Sequence, residues 1–226
     1  MKRAFVVLTL AALVAQFSFA QSVSYGGGSF EPAEGNWVVL GNGLAQVDAN
    51  APRAKINLRL PQSGQVEYQF DVRYISGGED GYAAFGAHIF VDQPHGGVSW
   101  GNGSSYLLWV TYDPTAYGGS GVWAQVYKSS SNGSMQLHEY ARIPYHFGIP
   151  AQYIQSITMA QVQQLALPVR IRVDANTGIV SVKDPTQADL WWSFTLGERL
   201  TQGRYITLRT SSLAASFSNL RMVQLN

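Results

Sequence analysis

Gln65-Val66-Glu67-Tyr68-Gln69-Phe70-Asp71-Val72-Arg73 alternates polar and apolar side chains without a break. Successive side chains of an extended strand point to opposite faces, so this stretch reads as a strand with Val66, Tyr68, Phe70 and Val72 on the buried side. A helix would scatter the same four residues around its circumference. Upstream, Ile56, Leu58 and Leu60 alternate with Lys55, Asn57 and Arg59, and Pro61-Gln62-Ser63-Gly64 between the two runs reads as a hairpin turn.

The same punctuated pattern runs to the end of the chain. Residues 82–91 are almost all apolar or small, as expected of a central strand, and residues 105–112, 122–128 and 135–143 follow between Gly, Ser, Asn and Asp. Val169, Ile171 and Val173 then alternate with Arg170, Arg172 and Asp174, a turn follows, and strands are expected over 179–183, 191–196, 204–209 and 215–225. With 37–40 and 44–48 that makes about a dozen strands separated by turn signals, the pattern of an all-β antiparallel sandwich. Residues 150–165 break the alternation. Pro150 fits a helix start and Ile154, Ile157 and Val162 fit helical spacing loosely, so one short helix or ordered loop insertion is expected there. No repeat, charge block or linker divides the chain.

The N-terminus predicts export. Lys2 and Arg3 precede an apolar run over 4–14, and Ser18-Phe19-Ala20 offers small residues where a signal peptidase reads. The expected organisation is a signal peptide over 1–20 and one sandwich domain over 21–226. The apolar run is shorter than the roughly 20 residues a membrane span needs. Loss of Lys2 and Arg3 would turn the net charge of +1 to about −1. With 13% charged residues, the composition carries no electrostatic footprint for nucleic acid. No cysteine is present, which excludes both disulfide support and a lipidated thiol. A periplasmic or extracellular address, without a lipid anchor, is the expectation. Asn102-Gly103-Ser104 and Asn132-Gly133-Ser134 match the glycosylation sequon but read as turn chemistry.

The last third of the chain adds a resemblance. Residues 167–174, a polar turn, and 179–184 look like the penultimate hairpin of concanavalin A-like and laminin-G-like jelly rolls. Residues 203–210 and 215–222 match the strands that follow in such domains, the latter through Ala215-Ser216-Phe217-Ser218-Asn219. The resemblance implies a two-sheet antiparallel jelly-roll sandwich. Domains of this shape include lectins, glycan-binding modules, glycoside hydrolases and non-catalytic scaffolds, so the shape selects no function by itself.

Motifs for catalysis are absent from the sequence. The hydrolases of this shape carry an E-x-D-x-x-E strand, and no such triplet occurs here. Glu67 and Asp71 share a strand face but lie roughly 13 Å apart at strand rise, and read as solvated face residues. His88, His95, His138 and His146 have no metal-ligand spacing. Calcium, bound at a loop rim by many laminin-G-like domains, finds only Glu79 and Asp80 in the 77–81 loop, a small part of the 6–8 oxygens it takes. A plain turn is the better account of that loop.

The aromatic residues stand out. If the strands over 105–112, 122–128 and 135–143 are neighbours, parity places Trp109, Trp123, Gln125, Tyr127, His138 and Tyr140 on one face. Flat rings beside hydrogen-bonding side chains suit the apolar faces and hydroxyl edges of sugars. The same rings would equally serve burial beneath the 150–165 insertion, or a contact with another copy or another envelope protein. The expected function is therefore non-catalytic carbohydrate binding, with a structural subunit of a sheath or coat as the alternative and a glycan-processing hydrolase third.

Overall fold

The computed structural model describes residues 22–24, 30–78, 83–113, 121–138, 143–145, 164, 166–185, 188–201 and 203–225. The alternating run forms β6 (Gln65–Gly77), which lies between β12 (Ala166–Asp174) and β16 (Leu213–Leu225). Both pairings are antiparallel and long. Around this centre the first sheet adds β13 (Ile179–Lys183) and β14 (Trp191–Thr195) on one side. On the other it adds β4 (Gly43–Gln46) and β3 (Trp37–Leu40), while β1 (Ser22–Ser24) pairs with β16.

The second sheet runs β10 (Met135–Leu137), β9 (Gly121–Ser129), β8 (Ser105–Asp113), β7 (Ala84–Val91), β15 (Gly203–Ser211), β5 (Lys55–Gln62) and β2 (Phe30–Glu34). A further strand, β11 (Ile143–Tyr145), also pairs with β9. The fold is thus the two-sheet antiparallel jelly roll that the sequence predicted. The 150–165 insertion lies outside the described residues.

Apolar faces of the two sheets close on each other. Val66, Tyr68, Phe70 and Val72 of β6 meet Phe85, Ala87 and Ile89 of β7, Leu108 and Val110 of β8, and Ile56 and Leu58 of β5. Phe217 has no exposed surface and sits in an aromatic cluster. Its ring lies 6.0 Å from Trp37, 6.1 Å from Phe70 and 6.4 Å, edge-on, from Phe85. Tilted and edge-on rings at this spacing add to the apolar burial.

Three expectations need correction. Pro61 to Gly64 does not close a hairpin, because β5 and β6 belong to different sheets. Gly64, at φ +62°, turns the chain from one layer to the other. Alternation fixes which face is buried, but not which strand becomes the hydrogen-bonded neighbour. Next, residues 135–143 form two short strands rather than one. Leu137 faces Tyr127 and Ile143 faces Ala124, so six steps along this chain cover three steps of β9. The odd excess reverses the parity between the two strands. Finally, Glu67 is buried rather than solvated. Its carboxylate accepts from Arg172 Nε at 2.5 Å and from Gln69 at 2.6 Å, and the Arg172 guanidinium stacks 4.0 Å from the centre of Trp191.

Candidate functional site

The outward face of the second sheet can be read row by row from the strand register. One row crosses five strands as Gln125, Trp109, Gly86, Arg209 and Lys55. The row beside it carries Tyr127, Leu107, His88, Thr207 and Asn57. Trp109, Gln125 and Tyr127 are half-buried, and Tyr127 donates to Gln125 Oε1 at 2.7 Å. Burial pushes the Tyr127 hydroxyl above its ordinary range, so it remains a donor.

Gly86 leaves room for the indole against the sheet. A Cβ there would come within 2.7 Å of Trp109 Cε3 and 2.2 Å of the Leu108 carbonyl oxygen. With no side chain in the way, Trp109 extends over β7 toward Arg209, whose guanidinium carbon is 5.9 Å from the ring centre.

The far end of both rows is roofed by residues 92–104. Asn102 is buried and donates from Nδ2 to Thr207 Oγ1 at 2.8 Å and Asn57 Oδ1 at 3.2 Å, while its Oδ1 accepts from the His95 amide at 2.7 Å. Thr207 in turn donates to Asn57 Oδ1 at 2.7 Å. Arg209 donates to the carbonyl oxygens of Trp100 and of Ser99, the latter at 3.0 Å, and Lys55 Nζ donates to Ser99 Oγ at 2.5 Å. Gly101 and Gly103 let the segment pass close to the Ser131 and Gln93 carbonyls, where any Cβ would clash.

His88 joins the two halves of this network. Ser105 donates its only hydroxyl proton to the Asn102 carbonyl at 2.9 Å, so His88 Nδ1 must be the donor in its 3.0 Å contact with Ser105 Oγ. Its Nε2 then accepts from Arg209 at 3.2 Å. That tautomer requires a neutral ring. Burial, with Arg209 and Lys55 nearby, lowers its pKa well below the ordinary imidazole value.

The roof places one more ring at the site. Trp100 is 52% exposed, with the Arg53 guanidinium 4.8 Å and the Arg209 guanidinium 5.8 Å from its ring centre. The result is a half-open aromatic surface, Trp109 on the sheet and Trp100 on the roof, edged by Gln125, Tyr127 and Arg53.

The expected set is only partly brought together. Trp109, Gln125 and Tyr127 share the outward face. The Trp123 backbone lies opposite Thr111 in register, and its side chain falls outside the described part of the structure. His138 goes to the other side. Its ring packs edge-on at 5.6 Å against Tyr106, an inter-sheet residue, and its Nε2 lies 3.3 Å from the Thr195 carbonyl of β14. Leu137, opposite Tyr127, takes the outward position that His138 was expected to hold. Tyr140 and the Glu79–Asp80 loop lie outside the described residues. Trp100, Arg53, Lys55 and Arg209 were missed. The signal available in the sequence was Lys55 on the polar parity of its strand, with Arg209 on the corresponding parity of another. What brings Trp100 over them is a loop, which strand periodicity does not report.

A separate cleft of about 310 Å³ opens at one end of the sandwich, lined by Asp92, Ser104, Tyr106, Glu198, Arg199 and Thr201 among others. Glu198 pairs with Lys128 at 2.8 Å and accepts from Tyr106 at 2.7 Å. Among the described residues no group of three or more His, Asp or Glu side chains could hold a metal ion. No helix among them is long and apolar enough to cross a membrane.

No family model and no curated relative matches this sequence. Solved structures do match its shape. The carbohydrate binding module CBM66 from Bacillus subtilis aligns at TM-score 0.55 and 13% identity, over 86% of this chain and 95% of that one. A legume lectin-like domain from Entamoeba histolytica aligns at TM-score 0.58 and 10% identity, over 87% and 90%. A Bacillus licheniformis β-glucanase aligns at TM-score 0.53 and 8% identity, over 93% and 100%. At such identities the likeness establishes the fold, a concanavalin A-like jelly roll, and leaves the chemistry to this chain's own residues.

Proposed function

We propose that this chain is an exported, non-catalytic carbohydrate-binding domain that takes a glycan on the outward face of its second sheet. The observation that carries this is the half-open Trp109 ring, packed against Gly86 and bordered in register by Gln125 and Tyr127. A flat ring meets the apolar face of a pyranose, while amide, phenol and guanidinium groups at its edge meet the hydroxyls. The carbohydrate binding module and lectin-like domain that share this fold support the same class of ligand.

The test is a glycan array on the purified 21–226 protein, repeated with Trp109→Ala. The variant should remain folded by circular dichroism and lose about fivefold or more in retention, the worth of one stacking contact of order 1 kcal/mol or more. A folded variant that retains glycan unchanged would refute the site. A second reading, a structural subunit that assembles with copies of itself or with another envelope protein, is favoured by Val39 and Leu40. These are 72% and 51% exposed on edge strand β3. Concentration-dependent sedimentation abolished by Val39→Lys, with no glycan retained, would decide for it.

A further inference from the structure

We propose that the glycan taken by this face is acidic, carrying carboxylate or sulfate groups that meet the Arg53 end of the site. This rests on the carbohydrate-binding reading above and narrows it to a ligand class.

The observation is a group of cations that make no ion pair among the described residues. Lys55 and Arg209 are essentially buried, yet among the described residues their side chains donate only to a serine hydroxyl, two backbone carbonyls and a neutral imidazole. Arg209 Nε is buried with no acceptor at all. Arg53, half-buried, is held over the Trp100 ring and pairs with no carboxylate among the described residues. The ion pairs among the described residues are Lys128 with Glu198 and Arg172 with Glu67, both elsewhere. Buried charges in proteins are ordinarily paired, because desolvation is costly when nothing returns the energy.

The acids near the site do not balance it. Glu34, registered opposite Lys55 at the edge of the sheet, is the carboxylate whose field reaches that lysine. Glu31 is exposed opposite Asn57 on the same edge strand, and Arg59, also exposed, sits opposite Tyr205. Among the described residues, four cations, Arg53, Lys55, Arg59 and Arg209, therefore stand beside two carboxylates, Glu31 and Glu34, on a protein whose overall charge is near zero.

The geometry orders their roles. Arg209 lies beneath Trp100 and cannot reach a ligand, so it supplies field and holds the roof. Arg53 flanks the exposed ring and can fork onto a carboxylate or sulfate, while a sugar ring stacks on Trp109. An anion there gives the cluster its missing counter-charge. It also favours the protonated form of Lys55, which burial and then Arg209 hold down to about 8.

Matched polymers that differ in charge alone make the test. Polygalacturonate and its full methyl ester share a backbone, as do dextran sulfate and dextran. Affinity electrophoresis with the 21–226 protein should show retardation by polygalacturonate or dextran sulfate, whichever anion fits, and little by the uncharged partner of each pair. Retardation should weaken with added salt. Arg53→Gln should lose about tenfold in retention, while Arg73→Gln, an exposed position on the other sheet, should lose little. Equal retention of charged and uncharged partners would overturn the acidic ligand and leave carbohydrate binding standing. Equal loss in the two arginine variants would overturn it as well, since general charge would then suffice. No retention of any polysaccharide, neutral ones on the array included, would overturn both.

Discussion

Asn102→Ala should be the most destabilising single change in the roof of the site. The side chain is fully buried and makes three hydrogen bonds, to Thr207, Asn57 and the His95 amide. The two bonds that Asn102 donates contribute about 1 kcal/mol each net, and the His95 N–H left without an acceptor adds about 1–3 kcal/mol. The expected loss is about 3–5 kcal/mol, a large share of the 5–15 kcal/mol typical of a domain. Urea unfolding followed by tryptophan fluorescence would read it as a lower midpoint at unchanged slope. Asn132 offers the control. It is exposed, and its Oδ1 accepts from the Gly103 amide at 2.9 Å, so Asn132→Ala should cost under about 1 kcal/mol. Asn57→Ala combined with Asn102→Ala should cost less than the sum of the single changes, because the two share Thr207 and each other. A loss under about 1 kcal/mol for Asn102→Ala, or strict additivity with Asn57→Ala, would refute this account of the network.

Phe217→Ala removes the ring that Trp37, Phe70 and Phe85 surround, and should cost about 3–5 kcal/mol in the same assay; a cost under 2 would mean the cluster closes over the gap. Stability should also depend on pH through two buried bases. His88 is held neutral, so below about pH 6.5 the unfolded chain takes a proton that the folded chain refuses, and stability should fall with acid. Lys55 is held to about 8, so from there toward about pH 10 the unfolded chain again binds the extra proton and stability should rise. Denaturation midpoints that stay level across both windows would contradict this. Protein recovered from its native host should begin at Gln21; mass spectrometry finding intact Met1 on the mature protein would defeat the proposed export.

The layers of the sandwich were legible in the sequence because burial on one face writes itself as period two. Val66 through Val72, Ile56 through Leu60 and Val169 through Val173 all turn the predicted side inward. Partners were not legible. Whether β5 pairs with β6 or with β15 depends on contacts across more than a hundred residues, and a short polar turn serves either outcome. The candidate face was half legible. Trp109, Gln125 and Tyr127 follow from parity within continuous strands, whereas His138 was misplaced because a separate short strand sets its own register. Trp100 and Arg53 left no periodic trace, being carried by turns, the first held by Asn102 and Arg209 and the second by bonds from Thr210, Ser211 and Ser212.

The buried state of Asn102 also bears on how the protein can be produced. Asn102-Gly103-Ser104 is a glycosylation sequon, and an oligosaccharyltransferase reads it on the extended chain as it enters the secretory pathway. Its acceptor nitrogen is the atom that reaches Thr207 and Asn57. A glycan attached before folding would prop the roof open and leave Arg209 and Lys55 facing water. Secretion from yeast or animal cells should therefore yield a poorly closed product, and a host without that enzyme is the one in which this fold can finish.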